Sequence, residues 1–231
     1  MTESDQDQRR RDLLTAALPH VPFDGWSRAA LIAGAKDLGL SGAEVERAFP
    51  AGPIDAIRLF SALADERMVA VVAGLAGTEM RLRDRIVAGI RARLEDQADH
   101  KDQVRKGMGV LALPQYAAVG AKCLYNTVNQ LWYAAGDSST DHNFYTKRAL
   151  LTGVYGATVL FWLSDGSAGH ARTWEFLGRR IDDALRIPKA ALQGLEALRH
   201  IPTAIPNPIR LARSLGIFRQ LSFHTRRSVR F

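Results

Sequence analysis

One cysteine, Cys123, stands in a chain of 231 residues. It has no partner for a disulfide and no companion thiolates for a metal centre, which suits a reducing compartment. Long apolar runs are missing too. The longest stretch without a charge, residues 149–164, has sixteen residues and includes Thr152, Gly153, Tyr155, Gly156 and Thr158. A spanning helix needs roughly 20 apolar residues, so this stretch reads as a buried helix of a soluble protein. The opening MTESDQDQRRRDLL mixes acids with bases and has no apolar segment, so a signal peptide is not expected. Catalytic signatures are equally scarce. H-E-x-x-H, repeated E-x-x-H, G-x-S-x-G and the P-loop pattern do not occur. Gly107, Gly109 and Ala112 fit a dinucleotide fingerprint in spacing alone, because they follow the charged DHKDQVRK rather than a strand, and Pro114 interrupts what comes next. The histidines at 20, 100, 142, 170, 200 and 224 are scattered. The expectation is a protein that is not an enzyme, with no metal and no cofactor.

Charge is unevenly distributed. The formal net charge is +7, yet from Arg186 onward nine bases meet one acid, Glu196, while the preceding 185 residues hold 22 bases and 23 acids. The basic character belongs to the tail, and a polyanionic partner would meet it there. Strand signals are poor and helical spacing is common, so the expected fold is all-α. Helices are expected over 7–18, 27–38, from Ser41 to Pro50, from Ile54 past Leu63, over 78–94, up to Leu113, and over 115–135, 140–163 and 172–186. Pro202, Pro206 and Pro208 make a stiff connector. Beyond it, Leu211, Leu215, Phe218 and Leu221 form one stripe of a last helix, with Arg210, Arg213 and Arg219 opposite. Three regions follow: 1–64, 65–190 and 191–231.

The stretch AKDLGLSGAEVERAFPAG, residues 35–52, has the plan of a helix-turn-helix. Residues 7–60 resemble the N-terminal domain of TetR-type regulators, whose second helix reads the major groove. Here that helix carries Glu44 and Glu46 against one base, Arg47. Carboxylates repel phosphates, and duplex affinity comes mainly from Lys and Arg. The shape is that of a DNA reader and the charge is not, so no nucleic-acid partner is expected; a TetR-like regulator with a hydrophobic effector is the alternative.

Two longer patterns carry a family resemblance. W-x-x-A-G-D-x-S-T-D-x-N-x-Y-T-K-R-A-L-L runs from Trp132 to Leu151, and T-W-x-F-L-x-x-R from Thr173 to Arg180. Both are similar to the ninth coenzyme Q biosynthesis protein family, accessory proteins of the ubiquinone pathway in mitochondria and alphaproteobacteria. The resemblance extends over roughly residues 10–186; the tail departs from it. It implies a TetR-like bundle, an N-terminal helix-turn-helix-like subdomain followed by a larger C-terminal ligand-binding domain, that has exchanged DNA reading for lipid binding. An apolar pocket would hold an isoprenoid lipid or quinone precursor and present it to the demethoxyubiquinone hydroxylase, a di-iron enzyme. A terminal amphipathic helix would touch an anionic membrane surface. The place implied is the cytoplasm, peripheral on the inner membrane, or the matrix side in mitochondrial relatives.

The residues agree with this in part. Leu131, Tyr145, Leu151, Tyr155, Val159 and Trp162 offer apolar walls, and Gly153 and Gly156 leave volume beside them. The same pattern also makes a dense core, and the resemblance selects the pocket. The tail stripe of Leu211, Leu215, Phe218 and Leu221 with Arg210, Arg213 and Arg219 fits a membrane interface first, with a helix docked on the body or on a second copy in a homodimer as the lesser alternative. Trp174 and Leu177 share a core-like stripe with Ile181 and Leu185, whereas the resemblance marks Trp174 and Leu177 as a contact patch for the hydroxylase.

Overall fold

The computed structural model describes residues 3–75, 77–136 and 143–186. The chain divides after Arg186. The tail residues Arg210, Leu211, Arg213, Leu215, Phe218, Arg219 and Leu221 lie outside the described residues.

Among the described residues the elements are helical throughout. The first helix, α1 (Glu3–Ala17), begins four residues before the expected start and sends Leu13, Leu14 and Ala17 into the core. A short turn of helix, α2 (Val21–Asp24), follows despite Pro22, since a proline in the first turn gives up an N–H that has no helical acceptor. Ser27 caps α3 (Arg28–Asp37), its hydroxyl accepting from the Ala30 N–H at 3.2 Å. That helix closes in a Schellman turn: Leu40 N donates to Ala35 O at 2.8 Å and Gly39 N to Lys36 O at 2.9 Å. Gly39 takes φ 68° there, a conformation only glycine adopts cheaply.

Where α3 crosses α1, Gly34 lies against backbone. A Cβ at residue 34 would come within 2.5 Å of Ala17 N. Gly34→Ala is expected to force the helices apart and destabilise the protein by about 1–3 kcal/mol or more, read as a lowered urea midpoint with an unchanged m-value. An unchanged midpoint would mean the crossing has slack.

The next helix, α4 (Gly42–Ala48), is the one in the DNA-reading position. Its acids have local work. Glu44 Oε2 accepts from the Ser41 N–H at 2.9 Å, and Glu44 Oε1 meets Arg9 at 2.8 Å. The Ser41 backbone N–H holds the Glu44 carboxyl below its ordinary range. Glu46 meets Arg28 at 2.6 Å. The carboxylates that oppose a phosphate surface therefore tie α4 to α1 and α3.

Pro53 opens α5 (Pro53–Gly74), 22 residues without a break. The boundary expected at residue 64 falls inside it. No glycine or proline interrupts its period before Gly74, so one helix serves two cores. Ile54, Ile57 and Phe60 pack with Leu13, Leu31 and Phe49 in the first. Met68 and Val72 pack in the second, with residues of α6 (Leu82–Asp96), α8 (Ala117–Ala134), α9 (Asn143–Ser164) and α10 (Ala171–Arg186). Between α6 and α8 lies α7 (Lys101–Leu111), after a 3-10 turn at Ala98–His100. No helix among the described residues is long and apolar enough to cross a membrane.

Candidate functional site

A cavity of about 280 Å³ opens where the two cores meet. Its walls come from five helices. Ile57 and Phe60 stand on α5, Val104, Met108 and Leu111 on α7, Leu124 on α8, and Tyr155 and Val159 on α9. The lining is largely apolar, as a small-molecule site requires. Gly156 also lines it, and a Cβ there would meet nothing within 4 Å. The missing side chain is empty space rather than a tight helix crossing.

The six sequence-derived wall residues divide. Tyr155 and Val159 line the cavity. Leu131, Leu151 and Trp162 do not; they are buried in the second core. Leu131 closes over α6, where a Cβ on Gly89 would sit 2.4 Å from its Cδ1. Trp162 is sealed beneath Lys101, whose Nζ stands 4.9 Å from the indole ring centre and donates to Trp162 O at 2.9 Å and Asp165 O at 3.0 Å. Tyr145 lies outside the described side chains. Gly153 is exposed and away from the cavity.

The walls on α5, α7 and α8 escaped sequence reading. One signal was present in GMGVLAL, residues 107–113, where small residues flank Met108 in a helix. In the spacing that imitates a dinucleotide fingerprint, Gly107 has a packing cause, while a Cβ at Gly109 would meet nothing within 4 Å. Gly107 makes room for Trp26, whose Nε1 would lie 3.2 Å from a Cβ there and donates to Gln103 O at 2.9 Å.

One wall is polar. Arg93 of α6 is buried and donates from Nε to Asp65 Oδ1 at 2.7 Å, from one terminal nitrogen to Gln97 Oε1 at 3.1 Å, and from the other to Ser61 Oγ at 3.1 Å. Thr127 of α8 donates to both Asp65 oxygens, at 2.8 and 3.0 Å. The guanidinium lies 5.5 Å from the Tyr155 ring centre. Burial pushes the Tyr155 phenol above its usual range, against the pull of Arg93, so the hydroxyl stays protonated at neutral pH. Burial likewise pushes the Cys123 thiol up and keeps it a poor nucleophile. The arrangement is a hydrogen-bonded floor beside apolar walls, without a nucleophile–base pair.

The patch expected at Trp174 is only partly on the surface. Leu177 is fully buried, and Thr173 and Ile181 are buried with it. The helical stripe turns these residues inward, so Leu177 is not available to a partner. Trp174 sits at the stripe's margin, half-buried, with Nε1 donating to Gly169 O at 2.7 Å and Arg91 stacked 5.2 Å from its ring centre. Asp165 anchors the turn before it, accepting from Ser167 N at 2.9 Å, Thr173 N at 2.9 Å and Thr173 Oγ1 at 2.6 Å.

The Thr173 hydroxyl first, then the Ser167 amide, hold the Asp165 carboxyl far below its ordinary value. A depressed folded-state pKa stabilises the protein above the unfolded value near about 4, and that contribution fades as pH falls further. The thermal midpoint of Asp165→Asn is therefore expected to fall less steeply with acid below about pH 4 than that of the parent chain. Parallel curves would remove Asp165 from the acid response.

The N-terminal Trp132–Leu151 pattern has structural work as well. Trp132 is buried, with Lys147 Nζ 5.7 Å from its ring centre, and Arg148 Nε donates to Asn129 Oδ1 at 2.8 Å. These contacts fasten α9 to α8.

Known proteins resemble this chain in sequence and in fold. Residues 117–188 match the family model COQ9. The chain is 33% identical over 198 residues to the mitochondrial ubiquinone biosynthesis protein COQ9 of Drosophila melanogaster, covering 84% of this chain and 60% of the fly protein. Against the protein of the same name in Homo sapiens it is 31% identical over 195 residues, covering 81% of this chain and 61% of the human one. It thus spans about three fifths of the length of these curated relatives. A crystal structure of a TetR transcriptional regulator from Nitrosomonas europaea superposes with a TM-score of 0.63 at 21% identity, over 77% of this chain and 98% of that one. Among the described residues the fold is TetR-like and all-α, and the chain carries a COQ9 family domain over residues 117–188 and is similar to mitochondrial COQ9 proteins over about four fifths of its length.

Proposed function

We propose that the protein serves ubiquinone biosynthesis as a lipid-binding accessory rather than a catalyst. It takes up an isoprenoid quinone precursor and presents it to the demethoxyubiquinone hydroxylase. The observation that carries this reading is the apolar cavity bounded by Tyr155, Gly156 and Val159. At roughly 30 Å³ for each water-sized group, its 280 Å³ takes about nine carbons, close to two isoprene units. The end of a chain fits and a whole polyprenyl tail does not, so the ring of the bound lipid is left outside for a partner enzyme. Burying each CH₂ contributes about 0.8 kcal/mol.

Trp174 is the proposed contact for the hydroxylase, through the part of its indole that stays accessible. Leu211, Leu215, Phe218 and Leu221, with Arg210, Arg213 and Arg219, are the proposed membrane-binding residues. They would hold the protein peripherally on the inner membrane, each arginine near anionic lipid contributing about 1 kcal/mol.

Native mass spectrometry of the gently purified full chain, with identification of the released lipid, tests the carrier reading. A quinone or isoprenoid species is expected. Its consistent absence, together with failure to take up added isoprenoid alcohol, would overturn the proposal.

A further inference from the structure

A second hollow, about 560 Å³, lies between α1, α5 and α8. Three cations from three helices stand around it, Arg10, Arg58 and Lys122, against one carboxylate, Asp55. That carboxylate is already engaged: Oδ2 accepts from Ala51 N at 2.7 Å, and Oδ1 is 3.5 Å from Arg58. Arg10 is steadied by its Nε donating to Ala48 O at 2.9 Å, and one terminal nitrogen stands 4.0 Å from Asp7, outside the groove's lining. Lys122 has no ion-pair partner among the described residues. Leu59 and Val119 supply apolar wall between the charges. Cys123 stands in the wall of both this groove and the apolar cavity.

An excess of cations converging from separate elements suits an anion, and phosphate above all, because charge-assisted bonds to its oxygens are short and strong. A free anion would have no use for the neighbouring apolar volume; a lipid has. We propose that this groove binds the phosphate or diphosphate head of an anionic lipid whose chain end enters the cavity past Cys123. The inference rests on the cavity accepting an apolar chain and adds a second class of ligand, one that competes with a neutral quinone precursor for the same space. Loading then depends on which head the lipid carries: phosphate-headed isoprenoid or phospholipid sits with its head fixed on the protein, and a neutral ring does not.

Titration calorimetry of the full chain tests this with geranyl diphosphate, geraniol, a short-chain lysophosphatidylglycerol and inorganic pyrophosphate. Geranyl diphosphate is expected to bind at least about tenfold more tightly than geraniol and to lose that advantage as salt rises. Arg58→Glu with Lys122→Glu should remove the advantage and leave geraniol unchanged. Lys106→Glu with Arg172→Glu, an equal charge change at exposed residues elsewhere, should keep it. The tighter of geranyl diphosphate and lysophosphatidylglycerol identifies the lipid source. Equal loss in both double variants, or pyrophosphate binding as tightly as geranyl diphosphate, would overturn the groove. Geraniol failing to bind would instead strike the carrier reading itself.

Discussion

Asp65→Ala is expected to destabilise the protein by about 3–5 kcal/mol, the usual cost of stranding one member of a buried ion pair. Asp65 and Arg93 expose only 3% and 7% of their side chains and meet at 2.7 Å. Removing the carboxylate leaves a guanidinium in low dielectric with two neutral acceptors, Gln97 and Ser61, and takes both acceptor oxygens from Thr127. Three helices lose their common fastening: α5 through Asp65, α6 through Arg93 and α8 through Thr127. Replacing both charges, Asp65→Leu with Arg93→Met, should recover most of the loss, because a hydrophobic pair of similar volume needs no desolvation. Equilibrium urea unfolding measures both variants. A single variant within about 1 kcal/mol of the parent, inside the ordinary surface range, would mean that water reaches Arg93 and the floor is not dry.

This floor was invisible in the sequence for a physical reason. Asp65 and Arg93 sit 28 residues apart on helices that look amphipathic by themselves. A charged residue in such a helix is read as solvent-facing unless its partner is known, and the partner is a tertiary fact. What sequence pattern does determine is local. Ser27, Gly39 and the Ser41–Glu44 pair set helix ends where they stand, because caps and left-handed turns act within a few residues. The membership of α9 in a core was equally legible from its apolar period. Which of its residues face a hole was not. Trp162 and Tyr155 carry the same apolar signal, yet one is sealed under Lys101 and the other borders the cavity. The difference lies in α7, whose approach leaves space beside Gly156 and fills it beside Trp162. A family pattern carries the same ambiguity. Thr173, Leu177, Trp132 and Arg148 stand in the quoted motifs and hold the bundle together, whereas Trp174, in the same motif as Leu177, stays partly open.

Filling the hole should separate lipid binding from folding. Gly156→Leu adds four carbons into space where a Cβ meets nothing within 4 Å. Each lipid CH₂ displaced costs about 0.8 kcal/mol, so four of them cost about 3 kcal/mol. At about 1.4 kcal/mol for each tenfold, affinity for an isoprenoid alcohol should fall about a hundredfold. Folding should hold or improve, since replacing a glycine inside a helix removes a cost of about 0.5–1 kcal/mol. Gly156→Ala should bind only a few-fold more weakly, because it displaces one carbon. Gly153→Leu, exposed on the same helix and away from the cavity, should bind as the parent does. Fluorescent isoprenoid displacement and thermal unfolding, run on the same samples, give the two readouts. A graded loss across Ala and Leu with unfolding midpoints at or above the parent's would make the volume beside Gly156 the lipid's seat. Full binding by a well-folded Gly156→Leu would put the chain somewhere else in the bundle.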